Sequence, residues 1–492
     1  MRRLSIFLFA ILLLPVLLFS QQFSAFNDYF IDKTMRIDYF HIGDAKEETI
    51  TIDKIYQYGI WAGNPKNLID RFNNGVYYIK IYDIASNNLI FSKGFNCMFG
   101  EYKTTDPGIN GVKKTFEESA LIPYPKRPIL FVLEKRDRKN ILHPIFIQKI
   151  DPKAVEIIKE EPRKSDRVYV ALKNGDPHKK VDLAWIAEGY TAEEYETFRK
   201  DVDHYLKVFF SIEPYKSNKE KFNIYGVFRP SSESGIDQPR KGIFKNTALN
   251  GSFNAFNLER YLLVDDNKTL RDVASCVPYD AIEILVNSKR YGGGGIYNDY
   301  AVSTTHNNLS ENVFLHEFGH SFAGLADEYY SSEVAYNDFY PKGVEPTEPN
   351  ITALLNPDNL KWKDLVSPGI SIPTEWGKEE LDRLQMERRK NLKEMNREIS
   401  QLKQRGVSEG KIKKTREKFN KKTREIDQKI KKIREKYSFL KDKVGAFEGA
   451  GYSSKGLYRP MLECLMFSNR EKRFCKVCQR AILRMINFYA TP

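Results

Sequence analysis

Residues 309–330 read Leu-Ser-Glu-Asn-Val-Phe-Leu-His-Glu-Phe-Gly-His-Ser-Phe-Ala-Gly-Leu-Ala-Asp-Glu-Tyr-Tyr. Apolar side chains at Val313, Phe314, Leu315, Phe318 and Phe322 predict a mostly buried helix with Ser310 as its N-cap. His316 and His320 are one helical turn apart, so both imidazoles fall on one face. Glu317 follows the first of them, where the helix can aim it at a water on a bound metal. Two imidazoles and a third protein ligand would leave zinc an open fourth position, as catalysis needs.

The third ligand requires the chain to leave the helix and turn back. Gly324 is the place to do so, because only glycine adopts the left-handed C-terminal conformation cheaply. Asp327 and Glu328 follow at once. In the metzincin pattern a glycine stands three residues after the second histidine, and a third histidine stands three after that. Here Gly324 is four after His320 and Asp327 is three after Gly324, so the turn is one residue longer and a carboxylate replaces the histidine. This spacing favours Asp327. Glu328 is the alternative and could instead orient a ligand. His306, at the end of a Ser-Thr-Thr loop, is a further candidate.

At 492 residues the chain allows two or three domains, and 41% hydrophobic with 13% aromatic residues is enough to build real cores. Residues 1–20 read as a signal peptide: basic Arg2 and Arg3, then an apolar run from Leu4 to Phe19, then Ser20 before Gln21 and Gln22. The run is short for a membrane span, and no second long apolar stretch follows. The expectation is an exported protein, extracellular or periplasmic, that does not span the membrane after signal removal. The five cysteines are Cys97, Cys276, Cys464, Cys475 and Cys478, an odd count that is not a disulfide framework. Cys475-x-x-Cys478 could be a metal half-site, a redox pair, a disulfide or two small apolar residues on a terminal helix, and no second pair accompanies it.

Residues 21–160 read as a β-sandwich domain. Gly75–Asp83, Leu89–Phe95 and Pro128–Glu134 have strand character, and Asn73-Asn-Gly, Asn87-Asn and Asp106-Pro-Gly separate such runs as turns. No catalytic constellation occurs there. Glu160-Glu-Pro-Arg-Lys-Ser is a linker by composition. Residues 161–492 then take up an α/β rhythm. Thr191-Ala-Glu-Glu is a capping box opening a helix with Tyr195, Phe198, Val202 and Tyr205 on one face, and Phe222–Phe228 and Ala281–Asn287 read as strands. Tyr291-Gly-Gly-Gly-Gly-Ile-Tyr-Asn lacks the Gly-Lys-Ser/Thr ending of a phosphate loop and reads as a turn or edge strand near the cleft. Phe474–Tyr489 reads as a C-terminal helix.

Residues 378–440 differ in kind. Within 378–437 there are 22 Lys+Arg and 11 Asp+Glu, a net +11, against +13 for the whole chain. The high isoelectric point therefore belongs to this segment. It contains no proline. Ile412, Phe419, Ile426 and Ile433 recur at heptad spacing, and Gly406–Gly410 interrupts it. These features predict an antiparallel helical hairpin inserted in the second domain. Its charge would suit an acidic surface partner, or it is simply a solvated insertion. An exported chain with no aromatic interleaving in its basic segment is not expected to bind nucleic acid.

Met466, or else Met461, could form the methionine turn that floors a zinc site in metzincins. The zinc motif, Gly293-Gly-Gly-Ile-Tyr-Asn, Tyr458-Arg-Pro and Cys464-Leu-Met resemble the IgA-peptidase family of secreted zinc metallopeptidases. Thr34-Met-Arg-Ile-Asp-Tyr and Gly94-Phe-Asn-Cys-Met-Phe are similar to that family's N-terminal β domain. The resemblance implies a multidomain protein: an N-terminal all-β sandwich, then an α/β metzincin-like zinc peptidase domain carrying the hairpin. It also implies His316 and His320 as zinc ligands and Glu317 as the catalytic residue. Asp327 as third ligand rests on spacing.

The expected reaction is hydrolysis of peptide bonds in a protein or peptide substrate, glycoproteins included, with zinc as cofactor and Glu317 as general base. Tyr329, Tyr330 or Tyr458 could steady the oxyanion. Two alternatives are another zinc hydrolase acting on cell-surface substrates, and a non-catalytic surface-binding protein with a structural zinc.

Overall fold

The computed structural model describes residues 26–159, 166–330 and 340–491. The expected signal peptide at 1–20 and linker at 160–165 lie outside the described residues. The chain forms two domains with mixed α and β content.

The N-terminal part opens with one helical turn, α1 (Phe26–Tyr29), and continues through β1 (Phe30–Gly43), β2 (Glu48–Tyr58), β3 (Tyr77–Asp83) and β4 (Leu89–Phe95). Two short helices follow, α2 (Met98–Tyr102) and α3 (Asp106–Ile109), and then β5 (Lys114–Pro125), β6 (Ile129–Arg136), β7 (Leu142–Ile150) and β8 (Ile158–Lys159). Two four-stranded sheets result, ordered β5-β1-β2-β8 and β4-β3-β6-β7. Met35, Ile37 and Ile122 of the first share one buried core with Ile79, Ile81 and Phe131 of the second. Asn73 and Asn87 take positive φ, as turn asparagines do. Asp106-Pro-Gly makes a helical turn instead of the expected β-turn. The Thr105 side chain caps it, and Pro107 sits where a helix has an amide proton to spare.

The second part is built on a six-stranded sheet. Its strands are β9 (Arg167–Leu172), β10 (Val181–Glu188), β11 (Phe222–Phe228), β14 (Ala281–Val286), β15 (Gly293–Ile296) and β16 (Tyr300–Thr304). A short pair, β12 (Gly251–Phe253) and β13 (Leu262–Val264), lies beside it. The order is β15-β16-β14-β10-β11-β9, with the four inner strands parallel and both edges antiparallel. All eight residues of β10 are buried, as expected of a central parallel strand covered on both faces. Alternation divides them. Leu183 and Trp185 join the core with α4 (Tyr195–Phe209) and α6 (Ser310–Ala323), while Ala184 and Ile186 face α5 (Asn267–Ala274). The capping box at Thr191 and Glu194 is formed and opens the helical stretch leading into α4.

Two long helices, α7 (Lys378–Gln404) and α8 (Glu409–Lys436), lie side by side and antiparallel, each about 40 Å long at 1.5 Å per residue. Arg388 Nε meets Asp427 2.7 Å away, and Asn391 Nδ2 donates to Phe419 O and Thr423 Oγ1, each at 3.0 Å. Leu381, Leu384, Ile426, Ile430 and Ile433 are buried with Trp376 and Phe447, so the hairpin base is welded to the domain. A small pair, β17 (Phe447–Ala450) and β18 (Ser453–Arg459), and helix α9 (Lys476–Ala490) complete the fold. No helix among the described residues is long and apolar enough to cross a membrane.

The two parts are clamped together beside the cleft. Arg36 pairs with Asp272 at 2.7 Å. The β15–β16 turn is held twice: Asn96 N donates to Tyr297 O (2.9 Å) and Asn298 Nδ2 to Gly94 O (2.7 Å).

Candidate metal centre

Helix α6 is anchored on several sides. Phe314 meets Trp185 edge to face at 5.4 Å, Phe318 meets Phe209 at 5.3 Å, and Phe322 stacks near Tyr489. The helix starts at Ser310 itself. Leu309 occupies the N-cap position, and the Ser310 hydroxyl instead accepts the Asn307 amide at 3.1 Å. Its far end is the expected one: Gly324 is left-handed at φ 60°, and its amide returns to His320 O.

Edge strand β15 runs against this helix so closely that its glycines are required. A Cβ on Gly295 would stand 2.3 Å from the Glu317 carbonyl, and one on Gly293 would stand 2.6 Å from Val313 Cγ1. The glycine run is thus a packing surface for the helix.

His316 and His320 point their Nε2 atoms at each other, 3.1 Å apart. Asp327 Oδ1 lies 3.0 Å from the first and 3.3 Å from the second. Zinc bonded to tetrahedral nitrogens and oxygens at about 2.0–2.1 Å would set its donors about 3.3 Å apart, close to this triangle. The opposite ring nitrogens are committed. His316 Nδ1 meets Leu465 O at 3.0 Å, and His320 Nδ1 meets Leu325 O at 2.6 Å. With those nitrogens donating, neutral rings turn lone pairs toward one another and toward a buried Asp327 Oδ1 that has no hydrogen-bond donor among the described residues. Such a cluster calls for a cation at its centre. Tyr452 OH donates to the outward Asp327 oxygen at 2.6 Å.

The electrostatics agree. Burial alone would lower the His320 pKa, but the Asp327 carboxylate outweighs it and lifts it to about 9. Burial is also the largest influence on Asp327, yet the two histidines hold its carboxyl well below the usual range. Burial raises Glu317 above the ordinary carboxyl value, against the pull of the same two histidines. The Glu317 carboxylate lies within 4.8 Å of the ring nitrogens.

The triangle lies in a cleft of about 1010 Å³. Arg260, Tyr291, Tyr329 and Tyr452 form its walls with Asn96 and Glu101 from the N-terminal part. The other expected residues are elsewhere. His306 pairs with Asp201 at 3.0 Å, and Glu328 turns away from the cleft into a buried nest of cysteines. Tyr330 reaches Asp382 on α7 at 3.0 Å, and Tyr458 is not in the cleft wall, so only Tyr329 of the three candidate tyrosines faces it. Met466 lies under the helix, its Sδ 3.2 Å from where a Cβ on Gly319 would be, and its carbonyl accepts the Glu328 amide at 2.9 Å. Tyr452 and the Leu465 carbonyl were not signalled by any motif.

Residues 170–486 match the family model described as IgA Peptidase M64, and residues 25–147 match that described as Peptidase M64 N-terminus. The chain belongs to the M64 peptidase family. No curated protein matches it. As an M64 peptidase it is a hydrolase of protein or peptide substrates, from a family of metallopeptidases. The triangle of the two α6 histidines and Asp327, from the segment after the helix, is a donor set within the matched region that suits a metal.

Proposed function

We propose that this M64 chain is a secreted zinc-dependent endopeptidase. His316, His320 and Asp327 would hold the zinc, and Glu317 would serve as general base. The observation that carries the reading is the donor triangle, with edges of 3.1, 3.0 and 3.3 Å at the floor of a large cleft. Zinc held there supplies Lewis acidity, polarising the scissile carbonyl and making water acidic near neutral pH. Glu317 takes the water proton and passes it to the departing amine, and its raised pKa suits both halves of that transfer. Tyr329, in the cleft wall, is placed to steady the oxyanion. Tyr452 fixes the Asp327 carboxylate, and the Leu465 and Leu325 carbonyls fix the two rings.

The test is metal analysis and digestion of a generic protein by wild type and Glu317→Ala. Full metal content with activity reduced at least about 10²–10⁴-fold is expected in the variant. Equal activity in both would overturn the general-base assignment.

Residues 21–160 form a sandwich domain, residues 161–492 the peptidase domain, and residues 378–440 a hairpin inserted in it. Residues 1–20 direct export. The basic hairpin meets an acidic surface. Shortening both arms beyond the buried base at Leu384 and Ile426 tests that last point, and unchanged kinetics and surface binding would sink it.

A further inference from the structure

The Cys475-x-x-Cys478 pair lacks a sequence partner, but the fold supplies two. Cys475 caps the N-terminus of α9, and Cys478 lies in its first turn. Cys464, on the turn before Met466, brings its Sγ to 3.8 Å from that of Cys478. Glu328 enters from the strap after α6, with Oε1 3.1 Å from Cys478 Sγ and 3.6 Å from Cys475 Sγ. All four donor atoms lie within 4.8 Å of one another, and no residue of the four is more than 2% exposed.

We propose that Glu328, Cys464, Cys475 and Cys478 form a second, closed metal site that takes zinc in a structural role.

Tetrahedral zinc with sulfur at about 2.3 Å and oxygen at about 2.1 Å sets sulfurs about 3.8 Å apart and sulfur to oxygen about 3.6 Å. The measured edges are 3.8, 3.6 and 3.1 Å. A disulfide would need two sulfurs at about 2.05 Å, and would leave the third thiol and the carboxylate buried together. The carboxylate is the second, independent sign. Glu328 is fully buried, and among the described residues its Oε2 has no hydrogen-bond partner and its Oε1 accepts only the neutral Asn350 amide (3.1 Å) besides the thiols. A buried carboxylate with so little support is costly unless a cation meets it. Two of the three sulfurs accept backbone amides. The Cys475 amide donates to Cys464 Sγ at 3.2 Å and the Cys478 amide to Cys475 Sγ at 3.4 Å. The buried Arg459 guanidinium acts on both Glu328 and Cys464, offsetting part of the negative charge left after a divalent ion binds. Uptake of one Zn²⁺ releases the three thiol protons.

The site has an evident purpose in the fold. The turn carrying Cys464 also carries the Leu465 carbonyl that holds His316 and the Met466 carbonyl that holds the Glu328 amide. Glu328 is the neighbour of Asp327. A metal here therefore ties down both segments that shape the catalytic triangle.

The test uses the full chain, purified without added metal and loaded in parallel with Co²⁺. Wild type should carry two metal ions, and Cys478→Ser and the His316→Ala/His320→Ala double variant one each. Thiolate-to-cobalt charge-transfer absorption should persist in the histidine variant and vanish in Cys478→Ser. That absorption reads the cysteine site alone, so its outcome is separate from that of the proposed catalytic zinc. If Cys478→Ser fails to fold, the histidine variant still decides. One bound ion with the cobalt–thiolate band supports the proposal. No ion, no band, or a mass lower by two hydrogens with two free thiols lost from the cluster overturns it. Iron in place of zinc in the isolated protein overturns the metal assignment.

Discussion

Gly295→Ala places one methyl group where β15 meets the metal helix. Its Cβ would stand 2.3 Å from the Glu317 carbonyl and 2.9 Å from His320 Cβ. Real Cβ contacts essentially never fall below 3.0 Å, so the strand or the helix must retreat by at least 3.0 − 2.3 = 0.7 Å. Neither gives easily. β15 is paired to β16 along its length, and its turn is bonded to the N-terminal part. Helix α6 is packed through Phe314, Phe318 and Phe322. Overpacking of this kind costs about 1–3 kcal/mol, a drop of a few degrees in Tm. The functional cost is larger in proportion, since misplacing reacting groups by about 1 Å can cost about 10²-fold. The expected result is kcat/KM lower by about 10- to 100-fold with metal still bound. Peptide hydrolysis, metal content and thermal denaturation measured together check it. Gly410→Ala is the control: its Cβ meets nothing within 4 Å on α8, and alanine there should stabilise by up to about 1 kcal/mol. If Gly295→Ala keeps wild-type Tm and kcat/KM within about twofold, the tight strand–helix contact is not what the glycines serve.

Three further outcomes are expected. Tyr452→Phe removes the 2.6 Å hydrogen bond to Asp327 and should weaken zinc affinity about 10–100-fold in a chelator competition; unchanged affinity would remove Tyr452 from the site. A metal ion bound at the proposed site would have to displace the proton that His320 holds up to about pH 9, so apparent affinity should fall about tenfold per unit as pH drops below that value; a flat profile between pH 7 and 9 would remove His320 from the proposed ligand set. Glu48 is buried, and burial alone would raise its pKa, but His41, Lys103 and Lys135 hold it at about 2. Because the folded value is depressed, its contribution, on the order of 3 kcal/mol, is complete above about pH 4.5 and lost as pH falls toward 2. Glu48→Gln should lower Tm at neutral pH and flatten the acid limb of the stability curve; an unchanged acid limb would place the dominant titrating group elsewhere.

The parts of the site legible in the chain are those set by local geometry. Helical period puts His316 and His320 on one face, and the need for a left-handed residue marks Gly324, because both constraints act within a few residues. What failed to show is what the fold brings together over distance. Tyr452 reaches Asp327 across 125 positions, and Glu328 reaches Cys478 across 150. Neither pairing has a periodicity to betray it. The glycine run was readable as an edge strand near the cleft, but the reason for it is the approach of another element's backbone, which composition does not encode. Local misreadings have the same source. Asp106-Pro-Gly has turn composition, and a preceding threonine able to cap decides for a helix. Ser310 has N-cap composition, yet it serves better inside the first turn, where its hydroxyl also closes the preceding loop on Asn307.

The two candidate carboxylates, Asp327 and Glu328, are brought to different clusters. After Gly324 the chain follows no regular secondary structure, and the Asp327 and Glu328 side chains part to different partners. Asp327 turns to the histidines and Glu328 to the cysteines. The opposing turn repeats the device in its backbone, where consecutive carbonyls of Leu465 and Met466 bond His316 and the Glu328 amide. The extra residue between His320 and Gly324, relative to the metzincin spacing, belongs to the same arrangement. It sets which of the two carboxylates arrives on the histidine side. A strap held from both faces by charged groups has little freedom to move. That rigidity is what a site needs if Asp327, carried by a loop, is to hold its place as firmly as the two histidines carried by a helix.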